Sequence, residues 1–216
     1  MLTGIHFLLT YTCTFECDHC FLYCGPEAEG TFTRQQLRQV FDEIKRIDGI
    51  RSVCFEGGEP FLFYPLMVDA IRMARDLSLS TGVVTNCYWA TSVEDAELWL
   101  KPLAELKIDS VSLSDDEFHH QSEGESPARK ALTAAGRLGI SASTICIETP
   151  TVTSEVTTED GKGTSVIGGG ALFKGRAVEK LIEGLPLRQW TELGSCEQEE
   201  LEKPRRVHID SYGHVH

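Results

Sequence analysis

Three cysteines lie close together near the start of the chain: three residues separate Cys13 from Cys17, and two separate Cys17 from Cys20. Soft thiolate ligands at this spacing suit an iron–sulfur cluster or zinc. A fully closed cluster needs a fourth ligand, so three thiolates leave one metal position open. An open position distinguishes a reactive metal centre from a structural one, as in catalytic zinc sites that keep a water. The spacing therefore predicts a reactive metal site.

Cys24 offers an alternative, because it could supply a fourth thiolate. The chain would then be a non-enzymatic module, with a closed electron-transfer cluster or a structural zinc. The run lacks the paired Cys-x2-Cys units of common zinc modules, which favours the three-thiol set. The remaining cysteines are scattered singly and do not indicate a disulfide framework; they are Cys54, Cys87, Cys146 and Cys196.

A second motif, Glu56-Gly57-Gly58-Glu59-Pro60, follows an apolar segment at 52–55. Glycine permits backbone conformations that other residues avoid, and without a Cβ it lets the chain approach a ligand closely. Alone, the motif is typical of a plain turn in which the proline opens the next helix.

Short apolar segments alternate with helical patterns through most of the chain. The predicted strands are 5–10, 52–55, 81–85, 108–113 and 140–147, and the predicted helices are 34–47, 65–77, 93–106 and 127–138. This alternation is typical of parallel βαβ units, which right-handed crossovers wind into an open sheet or a partial barrel. Both motifs then follow the carboxyl ends of parallel strands, where barrel enzymes hold their catalytic residues.

The pattern weakens after residue 148. Residues 149–165 are rich in Thr, Gly and charge and predict a long loop, whereas Val166 and Ile167 predict a short sixth strand. A helix is predicted at 176–182, and residues 207–216 predict two short strands around a turn. We expect one domain over 1–206 and the start of a C-terminal extension over 207–216.

Together, the Cys-x3-Cys-x2-Cys run and the Gly-Gly-Glu-Pro segment resemble the radical S-adenosylmethionine (SAM) superfamily over roughly residues 5–148. The resemblance implies an α/β fold, a partial TIM-type (β/α)6 barrel with parallel strands and outer helices. It implies a [4Fe–4S] cluster on Cys13, Cys17 and Cys20, with SAM on the fourth iron. It also implies reductive cleavage of SAM to a 5′-deoxyadenosyl radical that abstracts hydrogen from a substrate, with an external electron donor such as flavodoxin or ferredoxin.

The resemblance also implies which residues bind the cofactor: His19, Gly57, Gly58, Glu59, Pro60, Asn86, Ser112, Ser114 and Arg129. In this set the Gly-Gly-Glu-Pro segment seats the methionine part of SAM, and Glu59 accepts a hydrogen bond from the ammonium. Asn86, Ser112 and Ser114 resemble groups that bind the SAM carboxylate or ribose. Arg129 resembles an arginine that pairs with the SAM carboxylate, and His19 occupies a position near the adenine. The alternative for Ser114 is that it caps a turn, and the alternative for Arg129 is that it lies solvated at the surface. No general acid or base is identified, so the catalytic residues are unknown.

Two further segments carry weaker signals. Residues 116–120 contain neighbouring histidines, but adjacent side chains point in different directions, so joint metal binding by His119 and His120 is not expected. Phe118 or His119 is a candidate substrate contact. The glycines at 168–170 lack the spacing of a dinucleotide-binding loop and predict either a loop near the SAM adenine or no function.

The composition excludes some function classes. Asp and Glu outnumber Lys and Arg by 33 to 20, and nucleic acids bind basic surfaces, so no nucleic-acid partner is expected. No apolar run approaches the roughly 20 residues of a membrane span, and the first residues lack the basic start of a signal peptide. We therefore expect a cytoplasmic protein without a membrane partner.

The segment 209–215 resembles the start of a Cys-rich C-terminal extension found in peptide-modifying relatives, but no cysteine follows it. Either the chain is truncated or it carries no auxiliary clusters. The expected substrate is a small molecule or a peptide, and the sequence does not choose between them.

Overall fold

The computed structural model describes residues 1–120, 124–155, 164–186, 189, 191 and 202–216. The strands in these ranges are β1 (Gly4–Thr10), β2 (Ser52–Gly57), β3 (Ser80–Thr85), β4 (Ser110–Ser114), β5 (Ala142–Ile145), β6 (Thr151–Glu155), β7 (Thr164–Gly168) and β8 (Arg206–Asp210). Six of them form one parallel sheet in the order β5-β4-β3-β2-β1-β8. The predicted α/β fold with a parallel sheet is confirmed.

The helices are α1 (Arg34–Ile44), α2 (Tyr64–Asp76), α3 (Val93–Glu105), α4 (Pro127–Arg137) and the short α5 (Ala177–Lys180). Three of them begin at a hydroxyl side chain that accepts a hydrogen bond from the N–H three residues on; these caps are Thr33, Ser92 and Ser126. Because caps are local signals, the four long helices agree with the predicted ones to within a few residues. Among the helices that the structure describes, none has the length and apolar character needed to cross a membrane.

The two faces of the parallel sheet differ in composition, because successive side chains of a strand point to opposite faces. The outer face packs on the helices and buries apolar side chains, among them Phe7, Phe55, Val83 and Leu113. The inner face carries polar side chains, among them His6, Glu56, Ser112 and His208. The hydrophobic core thus lies on one side of the sheet, and the inner side is left to form a site.

The sixth strand of the sheet is not where it was predicted. Residues 166–167 belong to β7, which pairs antiparallel with β6 in a separate two-stranded sheet. The sixth parallel strand is β8, which pairs with β1 at the edge opposite β5. There it supplies partners for backbone groups of β1 that would otherwise form an open edge. The predicted domain boundary at residue 206 falls inside β8.

The loop predicted at 149–165 is wrong in part, since β6 occupies its first half, and residues 156–163 lie outside the described ranges. Alternating Thr and Val in Thr151–Thr153 favour a strand, because β-branched side chains suit a pleated backbone. The helix predicted at 176–182 is shortened to α5.

The predicted turn at the end of the chain is present. An antiparallel bridge joins Ile209 to Val215. The Asp210 carboxylate accepts hydrogen bonds from the backbone N–H groups of Tyr212 and His214, and from the Tyr11 hydroxyl. These contacts hold the turn after β8 against Tyr11, the first residue after β1.

Candidate metal and cofactor site

The cysteine loop, residues 11–31, follows β1 and returns to it. Thr10 and Thr31 form an antiparallel bridge, and Thr12 and Gly25 form a parallel one. The Cys13 N–H donates to the Gly25 carbonyl at 3.0 Å. These bonds hold the loop at the carboxyl end of β1, where the metal site is predicted.

Four thiols of this loop line one cavity of about 270 Å³, those of Cys13, Cys17, Cys20 and Cys24. Burial raises the pKa of Cys17 to about 12 and also raises the pKa of Cys13. The pKa of Cys20 is lowered to about 6, chiefly by a hydrogen bond from the Cys24 thiol, and the pKa of Cys24 is raised by the same contact. A metal cation among these thiols would offset the cost of burying their thiolate forms.

Arg176 holds the cysteine loop in place and was not among the predicted site residues. Its buried guanidinium donates to the Cys17 carbonyl at 2.6 Å and to the Cys24 carbonyl at 2.8 Å. Its backbone N–H donates to the Cys20 carbonyl at 2.9 Å. The preceding Gly175 has a φ of +57°, and a Cβ there would lie 2.6 Å from the Cys20 carbonyl oxygen. This approach requires glycine, and it brings a positive charge beside the thiols.

Gly57 and Gly58 bring the end of β2 against the cysteine loop, and both line the cavity. The Gly58 N–H donates to the Thr10 carbonyl at 2.6 Å, and the Glu59 N–H donates to the Thr12 carbonyl at 2.9 Å. Gly57 has a φ of +123°, and a Cβ on it would lie 2.5 Å from the Thr10 oxygen. A Cβ on Gly58 would overlap the Thr12 carbonyl. Only glycine allows this packing.

The Glu59 side chain is fully buried and does not line the cavity. One carboxylate oxygen accepts from the Phe61 N–H at 3.0 Å and from the Thr85 hydroxyl at 2.8 Å. The other accepts from the Asn86 N–H at 2.7 Å. Burial raises the pKa of Glu59 to about 7. The carboxylate therefore joins the segment after β2 to the end of β3 and positions Asn86.

His19, Asn86 and Ser114 line the cavity as expected of cofactor contacts. The Asn86 side-chain amide donates to the Thr14 hydroxyl at 3.0 Å and to Cys13 Sγ at 3.5 Å, which ties β3 to the cysteine loop. His19 Nδ1 is buried and has no hydrogen-bond partner among the residues that the structure describes. A buried polar atom of this kind is costly unless a ligand satisfies it.

Three predicted cofactor residues do not line the cavity: Pro60, Ser112 and Arg129. Pro60 is buried and begins a 3₁₀ turn, whereas Ser112 lies on the inner face of β4 outside the cavity lining. The Arg129 side chain is 69% exposed and lies 3.4 Å from the Asp115 carboxylate. Arg129 thus has the exposure expected of the solvated alternative.

His119 and His120 differ in position, as expected of adjacent histidines. His119 lines the cavity, and its Nδ1 lies 2.7 Å from the Asp116 carboxylate, whereas His120 is not part of the lining. The Phe118 carbonyl accepts a hydrogen bond from the Cys17 thiol at 3.6 Å. This segment therefore closes the side of the cavity next to Cys17.

Cys24, the alternative fourth ligand, also lines the cavity, and the sequence gives no prediction for the other lining residues: Phe15, Phe21, Glu56, Val84, Thr85, Ile145, Ile147, Ala171 and Leu172. The glycine run at 168–170 reaches the cavity through Gly170, in agreement with the loop alternative. Glu56 could have been identified from the alternation along β2, where Val53 and Phe55 are buried on the outer face. The residues after 170 carry no such periodic signal.

Comparisons with known proteins agree with this geometry. The family model of the Radical SAM superfamily matches residues 7–148. A Bacillus subtilis (strain 168) protein, the putative peptide biosynthesis protein YydG, is 22% identical over 107 residues, which are 50% of this chain and 34% of that protein.

Two solved structures are similar in fold. BtrN in complex with AdoMet and 2-DOIA has a TM-score of 0.50 and 18% identity, over 68% of this chain and 57% of BtrN. Streptococcus suis SuiB bound to S-adenosylmethionine has a TM-score of 0.50 and 14% identity, over 100% of this chain and 60% of SuiB. At these identities the similarity shows the fold alone. The chain spans about a third of the length of YydG and less than two thirds of the lengths of BtrN and SuiB.

Proposed function

Because this chain belongs to the radical SAM superfamily, we propose that it is an enzyme that holds a [4Fe–4S] cluster, cleaves SAM reductively and abstracts hydrogen from a substrate. When bound, the cluster and SAM supply a primary carbon radical, which protein side chains do not form by themselves. The residues of the chain must bind these groups, orient them and keep water away.

Cys13, Cys17 and Cys20 would hold the cluster. Their thiols line one cavity, and soft thiolates are the ligands that iron–sulfur clusters require. Arg176 fixes the backbone of the loop through the carbonyls of Cys17 and Cys20, so the spacing of the thiols is set before a metal arrives. This preorganisation supports the proposed ligand set.

SAM would lie beside Gly57 and Gly58, with His19, Asn86 and Ser114 within the same cavity. The glycines let the end of β2 approach the cysteine loop, whose backbone any Cβ would overlap. The unpaired Nδ1 of His19 gives a polar ligand group a partner at a buried position. This unpaired atom supports a polar cofactor in the cavity.

Apolar side chains would protect a radical from water. Phe15, Phe21, Ile147 and Leu172 form much of the cavity wall. A water-poor cavity suppresses side reactions of a reactive intermediate. These residues thus act by shielding the reaction and not by transferring protons.

A peptide is the substrate class that we favour, because YydG is named a putative peptide biosynthesis protein. A small molecule is the alternative. We expect the electron to come from an external donor such as flavodoxin or ferredoxin, and the reaction to occur in the cytoplasm.

The meeting of three thiols and two glycines in one cavity carries the proposal. The test is anaerobic reconstitution with iron and sulfide, followed by SAM and dithionite, with 5′-deoxyadenosine as the readout. We expect product from the wild type and background levels from Cys13→Ala, Cys17→Ala and Cys20→Ala. Cys146→Ala is the matched control, since this exposed thiol lies outside the cavity lining. Iron-loaded wild type that forms no 5′-deoxyadenosine would contradict the proposal.

One contact favours a second candidate, a closed four-thiolate module. Cys24 lines the same cavity, and its backbone N–H donates to Cys20 Sγ at 3.3 Å. Cys24→Ala separates the two candidates. The enzyme should keep its iron and its SAM cleavage in this variant, whereas a closed module should lose its metal.

A further inference from the structure

Three polar side chains from adjacent strands meet on the inner face of the sheet: His6 on β1, Glu56 on β2 and His208 on β8. His6 and His208 are register partners in the parallel pair β1–β8. Glu56 lies two residues beyond Cys54, which is the register partner of His6 on β2. Side chains in register point to the same face, so the backbone itself brings these three groups together.

The Glu56 carboxylate contacts both histidines at hydrogen-bond distances, which two ligands of one metal ion also have. Glu56 Oε1 lies 3.0 Å from His6 Nδ1 and 2.9 Å from His208 Nε2. The three ligand atoms all lie within 4.8 Å of one another. Two ligands on an ion with bonds of about 2.0–2.1 Å stand roughly 2.9–3.4 Å apart. Both carboxylate–imidazole distances fall within that range.

The chemistry of the group also suits a metal ion. Two imidazoles and one carboxylate are a ligand set of catalytic zinc and of divalent iron sites that keep open positions. Among the described residues that line the cavity, Glu56 is the only Asp, Glu, Lys or Arg.

The group is partly exposed, and it reaches the cavity through Glu56. The side chains of His6, Glu56 and His208 are 21%, 15% and 23% exposed, and Glu56 is part of the cavity lining. An ion held by three protein atoms would therefore present its remaining positions to a molecule in the cavity. Small motions of the two imidazoles would suffice, because each already contacts the shared carboxylate oxygen.

Two other groups of potential ligands are less suited to a separate site. His19, Asp116 and His119 form the cavity wall next to Cys17 and belong to the site described above. In the group of Asp210, His214 and His216, the two imidazoles are 67% and 54% exposed. The Asp210 carboxylate there already holds the turn at the end of the chain through several hydrogen bonds.

We propose that His6, Glu56 and His208 bind a divalent first-row transition-metal ion, separate from the cysteine-held cluster, with its open positions directed into the cavity. The ion would join β8 to β1 and β2. It would also bind an oxygen or nitrogen atom of a molecule in the cavity and orient that molecule. Metal binding at this group does not depend on SAM cleavage, so the two proposals can fail separately.

The test uses the anaerobic chain with its iron–sulfur cluster loaded, dialysed against zinc as the probe ion. We expect about one zinc ion per chain beyond the reconstituted iron. X-ray absorption at the zinc edge should show nitrogen and oxygen neighbours at about 2.0–2.1 Å and no sulfur at about 2.3 Å. Sulfur neighbours would place the zinc at the cysteines and overturn the proposal, as would a wild type that binds no zinc.

Variants that remove one ligand each sharpen the test. Glu56→Gln and His208→Gln keep the size of the side chain, and each should weaken zinc binding at least about 100-fold, since losing an outer-shell partner alone costs 10–100-fold. The double variant His214→Ala/His216→Ala is the control and should bind zinc like the wild type. Wild-type affinity in either ligand variant would refute the site. If one ligand variant does not fold, the other decides, because wild-type zinc affinity in either folded ligand variant contradicts the site.

Discussion

The outer and inner faces of the parallel sheet are made from alternate residues of the same strands, yet they have different roles. Phe55 is fully buried on the outer face and stacks on Phe7 with 5.2 Å between ring centroids. Its neighbour Glu56 lies on the inner face between two histidines. The outer face stabilises the fold by burying apolar surface. The inner face supplies charged and polar groups that hold one another, and this difference allows the site to vary without loss of the core.

Replacing a side chain on the outer face should have the largest effect on stability. For Phe55→Ala we expect the free energy of unfolding to fall by about 3–5 kcal/mol, because the change leaves a cavity in the core. Ser112→Ala on the inner face should change it by less than about 1 kcal/mol. Urea unfolding followed by circular dichroism measures both. Equal losses in the two variants would remove the distinction between the faces.

Glu59 follows β2, whose residues alternate between the two faces, and its carboxylate is buried among neutral hydrogen-bond donors. Its pKa is raised from 4.5 to about 7, so the folded state holds a proton that the unfolded state releases between these pH values. Stability should therefore fall as pH rises through this window, by up to about 3 kcal/mol, and level off above it. Glu59→Gln cannot ionise and should flatten this slope in urea unfolding at pH 5 to 8. An unchanged slope would show that Glu59 is not the titrating group.

Arg176 contacts the cysteine loop and should matter more for metal retention than for the core. Arg176→Met removes two charged hydrogen bonds to the Cys17 and Cys24 carbonyls, and we expect a loss of about 2 kcal/mol in stability. Iron per chain after desalting should also fall. Arg176→Lys keeps the charge but cannot donate to both carbonyls in the same geometry. Its stability and its iron content should lie between those of the wild type and the Met variant. A Met variant that keeps both its stability and its iron would contradict the role of Arg176.

Arg129 should give the smallest effect, since it belongs to neither face. Its ion pair with Asp115 is exposed, so Arg129→Ala should change stability by less than about 0.5 kcal/mol. SAM affinity, measured by equilibrium dialysis, should also stay the same, whereas Asn86→Ala should weaken it. A tenfold loss of SAM affinity in Arg129→Ala would instead support the predicted contact between Arg129 and the SAM carboxylate.

Local signals were sufficient to predict the repeating units and both motifs. Apolar periodicity marks β1 to β5 and the four long helices, and the hydroxyl cap at Thr33 marks the start of α1. The spacing of Cys13, Cys17 and Cys20 and the pair of glycines likewise lie within short segments. Each of these features depends on residues that are neighbours in the chain.

Features that depend on distant contacts were missed. The place of β8 follows from its pairing with β1 at the other end of the chain. The direction of the Glu59 carboxylate is decided by Thr85 and Asn86, which the neighbouring glycines do not specify. Arg176 lies 159 residues along the chain from Cys17 and 152 from Cys24, whose carbonyls it contacts. No local pattern encodes these contacts.

In the proposed enzyme, one iron of a cluster held by Cys13, Cys17 and Cys20 has no protein thiolate. Mössbauer spectroscopy of the chain reconstituted with ⁵⁷Fe, with and without SAM, detects such an iron. We expect SAM to change the signal of one iron in four, in the wild type and equally in Cys24→Ala. A spectrum with four equivalent thiolate-bound irons that SAM does not alter would contradict it.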